Sequence, residues 1–199
     1  MKKVLMLLSN GFEAVEASVF TDVLGWNKLE GDGTTDLVTV GLHERLKCTW
    51  NFIVQPELTL DQVNLDDYDA LAIPGGFEEA GFYEDAYDQR FLDVIKHFHN
   101  KNKIIATICV GSLPLGKSGI LNGRKATTYN HPTSKRQGQL KDFGAIVVNE
   151  PIVVTDNIIT SYNPSTAFDV AFTLLEMLTS QDNCKHVKEL MGFYQECHD

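Results

Sequence analysis

Short apolar runs alternate along the chain with segments in which apolar residues recur every three or four positions. The runs have the length of buried strands and lie at 2–9, 36–41, 70–73, 103–109 and 158–161. Helical spacing is clearest in the segments 13–27, 89–100 and 165–178. Strands that alternate with helices indicate a parallel sheet covered on both faces. The pattern predicts an α/β fold, namely a flavodoxin-like three-layer α/β/α sandwich with a mostly parallel central sheet.

The remaining segments have a weaker pattern. Residues 46–65 alternate around Pro56 and predict an edge hairpin or an irregular excursion. Shorter β-rich stretches and further helices are expected at 125–129, 145–148, 152–154, 133–142 and about 183–196. No repeat, low-complexity tract or linker interrupts the sequence. We therefore expect a single domain over residues 1–199, in which 183–199 form a C-terminal helical extension.

Composition narrows the classes of partner. The chain has 17 Lys and Arg against 27 Asp and Glu, a formal charge of -10 that would repel nucleic acid and anionic lipid surfaces. The N-terminal apolar run 4–8 is too short for the core of a signal peptide, and no stretch reaches the length of a membrane span. We expect a cytoplasmic protein with a small-molecule substrate and with neither nucleic acid nor membrane as a partner.

The four cysteines lack Cys-x-x-Cys spacing, and free thiols are expected in a chain of this size. Cys184, His186, Cys197 and His198 crowd the C-terminus, but their spacing matches no standard zinc pattern. A polar terminal helix is the preferred interpretation. The sequence also contains no Gly-x-Gly-x-x-Gly or Walker pattern. No metal and no cofactor is predicted.

Cys109 stands where an apolar strand passes into a helix, at the sheet edge where open α/β folds bind ligands. A nucleophile on such a turn needs small residues two positions before and after it, because the backbone folds back on itself there. Thr107 and Gly111 occupy those positions. The start of the next helix would favour the thiolate, and the amide of Val110 would face an oxyanion formed beside the sulfur. The alternative is a small buried residue without chemistry. The context of the turn favours the functional interpretation.

Glu16, the glycine pair 75–76 and His131 are further candidates at this edge. Glu16 is in helical register with Phe20 and should face the sheet, where it could donate a hydrogen bond to a Cys109 thiolate. It could equally be an ordinary acid of the first helical turn. The glycine pair could supply a second oxyanion donor or a plain turn. Of the six histidines, His131 is the best placed to assist a thiolate, although a partly buried structural role fits it equally well.

Four segments carry a family resemblance: NGFEAVE, AIPGG, IIATICVGSLPLGKSGILNGRKATT and NIITSYNPSTAFDVAFTLLEML. Together they resemble the ThiJ/PfpI superfamily, also called the DJ superfamily, whose fold is that of the class I glutamine amidotransferases. The match is collinear from Lys2 to about Leu178. The resemblance implies a homodimer in which Cys109 is the elbow cysteine and Glu16 contacts it. It also implies oxyanion contacts from the amides of Gly76 and Val110.

Members of this superfamily are described as glyoxalases, protein deglycases, isonitrile hydratases, peptidases, chaperones and oxidative-stress sensors. Val110 follows the cysteine where peptidase-type members have histidine, which argues against a peptidase. The segment Ser-Tyr-Asn-Pro at 161–164 replaces the His-x-Glu pair of a glutamine amidotransferase and argues against that activity as well. His131 stands two residues from the usual histidine, whose place Tyr129 takes.

The leading hypothesis is a cysteine-dependent enzyme that acts on small reactive carbonyls or their protein adducts, as a glyoxalase or deglycase does. Its catalytic residues would be Cys109, Glu16 and His131, with oxyanion contacts from Gly76 and Val110. Two alternatives stay open. One is a redox-sensing stress protein or chaperone with an oxidisable Cys109. The other is an enzyme similar to isonitrile hydratases.

Overall fold

The computed structural model describes residues 1–193 as a central β-sheet between two layers of helices. The strands are β1 (Lys2–Leu8), β2 (Thr35–Gly41), β3 (Leu46–Lys47), β4 (Ile53–Val54), β5 (Leu58–Thr59), β6 (Ala70–Ile73), β7 (Ile104–Thr107), β8 (Lys125–Ala126), β9 (Ile146–Val147), β10 (Ile152–Thr155) and β11 (Ile158–Ser161). The helices are α1 (Ala14–Glu30), α2 (Phe82–Ala86), α3 (Gln89–Asn100), α4 (Ser112–Ser118), α5 (Arg136–Asp142), α6 (Ala167–Leu178) and α7 (Gln181–Leu190).

The main sheet has seven strands in the order β10-β11-β7-β6-β1-β2-β5. All neighbouring pairs are parallel except β10 and β11, which form an antiparallel edge. Numbered along the chain, the strands β1, β2, β6, β7 and β11 follow the order 2-1-3-4-5, which is the flavodoxin-like doubly wound order. The predicted fold class is confirmed.

The core forms because the central strands are apolar on both faces. β1 is buried from Val4 to Leu8, since it lies between β2 and β6 and has helices above and below. α1 and α6 pack together on one face, and α3 and α4 pack together on the other. This arrangement brings the ends of β1, β6 and β7 to one edge of the sheet, so the loops that follow them lie side by side.

The short elements differ most from the sequence-based expectation. The region 46–65 contains the expected hairpin, formed by β3 and β4, followed by β5 and two 3-10 turns. The last helix, expected to reach residue 196, ends at Leu190 because the chain turns at Gly192, whose φ is +84°. Cys197 and His198 lie outside the described residues. Within residues 1–193, none of the helices has the length and apolar character needed to cross a bilayer.

Candidate active site

The turn after β7 holds Cys109 in a strained backbone conformation. Cys109 opens a 3-10 turn, Cys109–Gly111, that leads directly into α4. The φ angle of Cys109 is +54°, in the left-handed region that residues other than glycine rarely adopt. Gly111 permits the turn, since a Cβ atom there would lie 2.7 Å from the carbonyl oxygen of Ile73. The chain thus passes from strand to helix at Cys109 through a sharp elbow.

The loops after β1 and β6 are joined by backbone hydrogen bonds. The amide of Phe77 donates to the carbonyl oxygen of Gly11 at 3.0 Å, and the amide of Glu13 donates to the carbonyl oxygen of Gly75 at 2.8 Å. Gly11 has a φ of +68°, and a Cβ atom there would meet the backbone of Ala80. Close contact between the two loops fixes the start of α1 against the glycine pair.

This contact buries Glu16 completely. Its side chain is 0% exposed, and Oε2 accepts a hydrogen bond from the amide of Gly75 at 2.6 Å. Oε1 has no hydrogen-bond partner among the described residues, and the nearby hydrogen-bonding group is the thiol of Cys109. Burial, followed by the negative charge of Glu13, raises the pKa of Glu16 to about 8, while the bond from Gly75 opposes the increase. Glu16 can therefore carry a proton at neutral pH.

Cys109 is almost completely buried, with 6% of the residue exposed to solvent. Burial and then the neighbouring Glu16 carboxyl raise its pKa, and the amide N–H of Val110, which points at the sulfur, lowers it. The expectation that the helix start alone would favour the thiolate is incomplete, because desolvation acts in the opposite direction. Burial thus favours the protonated form of both groups, and because each would repel the negative charge of the other, loss of a proton by one raises the pKa of its neighbour.

A cavity of about 320 Å³ opens beside the sulfur. Its lining includes Glu13, Gly76, Cys109, Val110, Tyr129 and Arg136. Gly76 and Val110, the two oxyanion donors that the family resemblance implies, line this cavity together with Cys109. The amide of Gly75 is already occupied by Glu16, which leaves Gly76 as the residue of the pair that faces the cavity. The structure thus brings Cys109, Glu16, Gly76 and Val110 together.

His131 is not brought to this cavity. It is exposed, its Nδ1 lies 2.9 Å from Oγ1 of Thr133, and its ring stacks on that of Tyr129 with the ring centres 6.3 Å apart. Tyr129 lines the cavity and His131 does not. Tyr129, which by the family resemblance takes the place of the usual histidine, is thus the side chain present in the wall.

Arg136 is a cavity residue that the sequence did not reveal. Its guanidinium donates to Glu78 at 2.8 Å and to Gln139 at 2.8 Å, and it lies 4.8 Å from the ring centre of Tyr83. These contacts hold the side chain at 15% exposure and lower the pKa of the Glu78 carboxyl. A charged residue in a polar segment has the pattern of an ordinary surface position, so periodicity carries no signal for it.

The other described cysteines lie away from the cavity. Cys48 and Cys184 are buried free thiols, and Cys184 donates to the carbonyl oxygen of Phe172 at 3.3 Å. Among residues 1–193, no group of three or more His, Cys, Asp or Glu side chains could hold a metal ion. Cys109 is therefore the cysteine with a nucleophile's setting in the described part of the chain.

The family model of the DJ-1/PfpI family matches residues 2–177. The chain belongs to the DJ-1/PfpI family. Protein DJ-1alpha of Drosophila melanogaster is 34% identical over 194 residues, which cover 96% of this chain and 83% of that protein. A deglycase of Pyrococcus horikoshii is 30% identical over 165 residues, which cover 82% of this chain and 91% of that protein.

A solved DJ-1/PfpI structure agrees with the fold described above. The crystal structure of DJ-1beta from Drosophila melanogaster matches with a TM-score of 0.83 and 26% identity, and the match covers 96% of this chain and 97% of that chain. The resemblance drawn from the elbow and its flanking segments is therefore confirmed at the level of the DJ-1/PfpI family and its fold.

Proposed function

We propose that this protein is a cysteine-dependent enzyme that acts on small reactive carbonyls or their protein adducts. The observation that carries the proposal is the buried pair of Cys109 and Glu16 beside a cavity of about 320 Å³. A nucleophile, a group that can hold a proton and two backbone amides are the parts that carbonyl addition requires. The deglycase name of the Pyrococcus horikoshii relative supports the same substrate class.

The first step is addition of the Cys109 sulfur to the aldehyde carbon of a 2-oxoaldehyde. A carbon–sulfur bond forms, and the electron pair of the carbonyl π bond moves to oxygen. Gly76 and Val110 line the cavity together with Cys109, and their amides would stabilise that oxyanion. The product of the step is a hemithioacetal once the oxygen takes up a proton.

Glu16 then moves the protons. The reactive form of the pair holds one proton, which the Glu16 carboxyl gives to the oxyanion. The resulting carboxylate removes the hydrogen from the former aldehyde carbon and returns it to the adjacent carbon, while the hydroxyl proton of the hemithioacetal passes to the former ketone oxygen. This leaves a thioester of a 2-hydroxy acid on Cys109, which water cleaves to release the acid and restore the thiol. The net change is addition of one water. A pKa near 8 suits Glu16 to both roles near neutral pH. Tyr129 in the cavity wall is placed to assist a proton transfer.

Lactate release from methylglyoxal tests this proposal directly. Cys109→Ser should abolish activity, and Glu16→Gln should reduce kcat by about 10²–10⁴-fold, the usual value of general acid–base catalysis. Cys184→Ser is the matched control and should retain full activity, because Cys184 is equally buried, lies outside the cavity and keeps a donor for Phe172. Lactate formation that survives Cys109→Ser would refute the assignment. A parallel assay with the methylglyoxal adduct of N-acetylarginine separates free carbonyls from adducts as substrates.

A redox-sensing role is the second candidate, and the free Oε1 of Glu16 favours it. Two successive reactions with hydrogen peroxide would convert the Cys109 thiolate to a sulfenate and then a sulfinate, with release of water at each step. A protonated Glu16 could donate from Oε1 to a sulfinate oxygen. Peroxide should then switch on the biological role, whereas it should abolish the role of a carbonyl enzyme.

We also propose that the protein is a homodimer, as the family resemblance implies. An exposed apolar patch formed by Trp50, Phe52, Ile53 and Phe77 supports this proposal. Trp50 and Phe52 are 63% and 68% exposed, and the rings of Trp50 and Phe77 lie 5.3 Å apart. Neighbouring exposed aromatic residues of this size are typical of interaction surfaces. Because the four residues carry no charge, the patch allows two chains of the same net charge to approach.

A further inference from the structure

Three buried hydroxyl groups hold the backbone of Cys109. The amide of Cys109 donates to Oγ of Ser161 at 3.4 Å. The carbonyl oxygen of Cys109 accepts hydrogen bonds from Oγ1 of Thr128 at 3.1 Å and from Oγ of Ser112 at 3.2 Å. All three hydroxyl residues are 0% exposed. Both backbone polar groups of Cys109, and thus the peptide units on either side of it, are therefore held by side chains.

The elbow needs such support because its conformation is unfavourable. Four described residues other than glycine have a positive φ, and three of them are Asn51, Asn102 and Asp156. Asn and Asp tolerate the left-handed region, whereas a cysteine there costs about 1–3 kcal/mol and persists only where its surroundings enforce it. Cys109 is the exception among the four, and it is also the one whose backbone is surrounded by hydroxyl groups.

The hydroxyl groups of Thr128 and Ser161 also connect the elbow to the cavity wall. Ser161 ends β11, and the chain then reaches Pro164, which lines the cavity. Thr128 immediately precedes Tyr129, which also lines the cavity. The segments whose hydroxyl groups hold the backbone of Cys109 thus also contribute side chains to the cavity wall.

We propose that Thr128 and Ser161 are positioning residues that hold the elbow so that the sulfur of Cys109 faces the amide of Val110. Neither residue needs to touch a substrate. Loss of either hydroxyl would release one of the two peptide units that flank Cys109 and let the backbone rotate toward ordinary angles. The sulfur would then lose the amide that stabilises its negative charge. The inference deepens the proposed function, but its central claim concerns the thiol alone.

The pH dependence of Cys109 alkylation by iodoacetamide tests the proposal, because it needs no substrate. The peptide that contains Cys109 would be quantified by mass spectrometry. In Thr128→Val the alkylation rate at pH 7.5 should fall about fivefold, the factor that corresponds to one hydrogen bond, and the profile should move to higher pH. Thr128→Ser keeps the hydroxyl and should restore the wild-type profile.

Thr127→Val is the matched control. Thr127 is the adjacent residue, is also 0% exposed, and its Oγ1 has no hydrogen-bond partner among the described residues. The same substitution there should leave the alkylation profile unchanged. Equal alkylation profiles for wild type, Thr127→Val and Thr128→Val would overturn the proposal. A Thr128→Val protein with a lower Tm and an unchanged alkylation profile would do so too, because the hydroxyl would then contribute to stability alone.

Ser161→Ala keeps the proposal testable if Thr128→Val does not fold. This smaller change removes the acceptor for the Cys109 amide and should shift the profile in the same direction. An unshifted profile in folded Ser161→Ala would count against the proposal. The two proposals can fail separately. If the wild-type protein releases no lactate from methylglyoxal but the variants still shift the alkylation profile, the positioning role stands and only the carbonyl chemistry is refuted.

Discussion

At the scale of single residues, Glu16 combines a functional position with a cost to the folded state. Its carboxyl is fully buried, and its pKa is raised from 4.5 to about 8. The folded protein therefore binds this proton more tightly than the unfolded chain does. Stability from this group is complete below about pH 4.5 and is lost as the pH rises through about 8.

Glu16→Gln should consequently stabilise the protein at alkaline pH while it impairs catalysis. We expect the free energy of unfolding at pH 8 to rise by roughly 3 kcal/mol, or the Tm by roughly 5–10 °C, with little change at pH 5. Thermal unfolding of both proteins at the two pH values measures this difference. Glu13→Gln is the control with a half-buried carboxyl and should change the Tm much less. Equal Tm values for wild type and Glu16→Gln at pH 8 would contradict the burial argument.

Sequence reasoning located some of these residues and not others, for a physical reason. Glu16 was found because helical register predicts which face a side chain occupies, and Cys109 because a cysteine at the end of an apolar strand is unusual. Thr128, Ser161 and Arg136 escaped notice, since hydrogen bonds between segments far apart in the sequence leave no periodic signal. Ser161 ends an apolar strand, so the rule that open α/β sheets bind ligands beyond the carboxyl ends of their strands could have drawn attention to it. Only the fold shows that His131 lies beyond the cavity.

At the scale of elements, the ends of β6 and β7 approach so closely that only glycine fits between them. A Cβ atom at Gly111 would lie 2.7 Å from the carbonyl oxygen of Ile73, the last residue of β6. One at Gly75 would lie 2.8 Å from Oε2 of Glu16. The glycines thus determine the spacing of the two strand ends and, with it, the distance between the acid and the sulfur.

Gly111→Ala should lower the free energy of unfolding by about 1–3 kcal/mol, the usual cost of forcing atoms into a packed interior. Urea denaturation provides the measurement. Gly138→Ala in α5 is the control, because no atom lies within 4 Å of the added carbon. That change should stabilise the protein by up to about 1 kcal/mol, since alanine is the better helix former. A Gly111→Ala protein as stable as the wild type would show that the two strand ends can separate.

The sequence predicts the long helices and strands better than the short ones. The long apolar runs of β1 and β7 and the strong periodicity of α3 and α6 were identified from the sequence, because burial on a sheet or a helix face imposes a regular pattern. The strand expected at 125–129 is only the two residues of β8, because its pairing with β9 ends at Ala126, and Tyr129 lies beyond it in the cavity wall. The five-residue α2 was not anticipated at all.

At the scale of the whole molecule, the proposed homodimer predicts a mass in solution of twice the 22.2 kDa chain. Light scattering coupled to gel filtration at micromolar concentration would measure it. Replacement of Trp50 and Phe52 by Ser should halve the mass, because the interface loses its largest apolar side chains. Ile146→Ser removes an apolar side chain that is 52% exposed outside the patch and should leave the mass unchanged. A monomeric wild type, or a monomer produced by Ile146→Ser, would exclude this interface.

The parallel order of the sheet also determines when the reactive centre can come into existence during folding. Neighbouring parallel strands require a long crossover between them, so β1, β6, β7 and β11 become neighbours only after distant parts of the chain have met. Glu16, Gly76, Cys109 and Ser161 follow or end these four strands in turn. No fragment of the chain can therefore assemble the centre by itself. The Cys109 thiol of an unfinished chain is therefore an ordinary exposed thiol, and it acquires its acid partner and its cavity only when β11 has docked on β7.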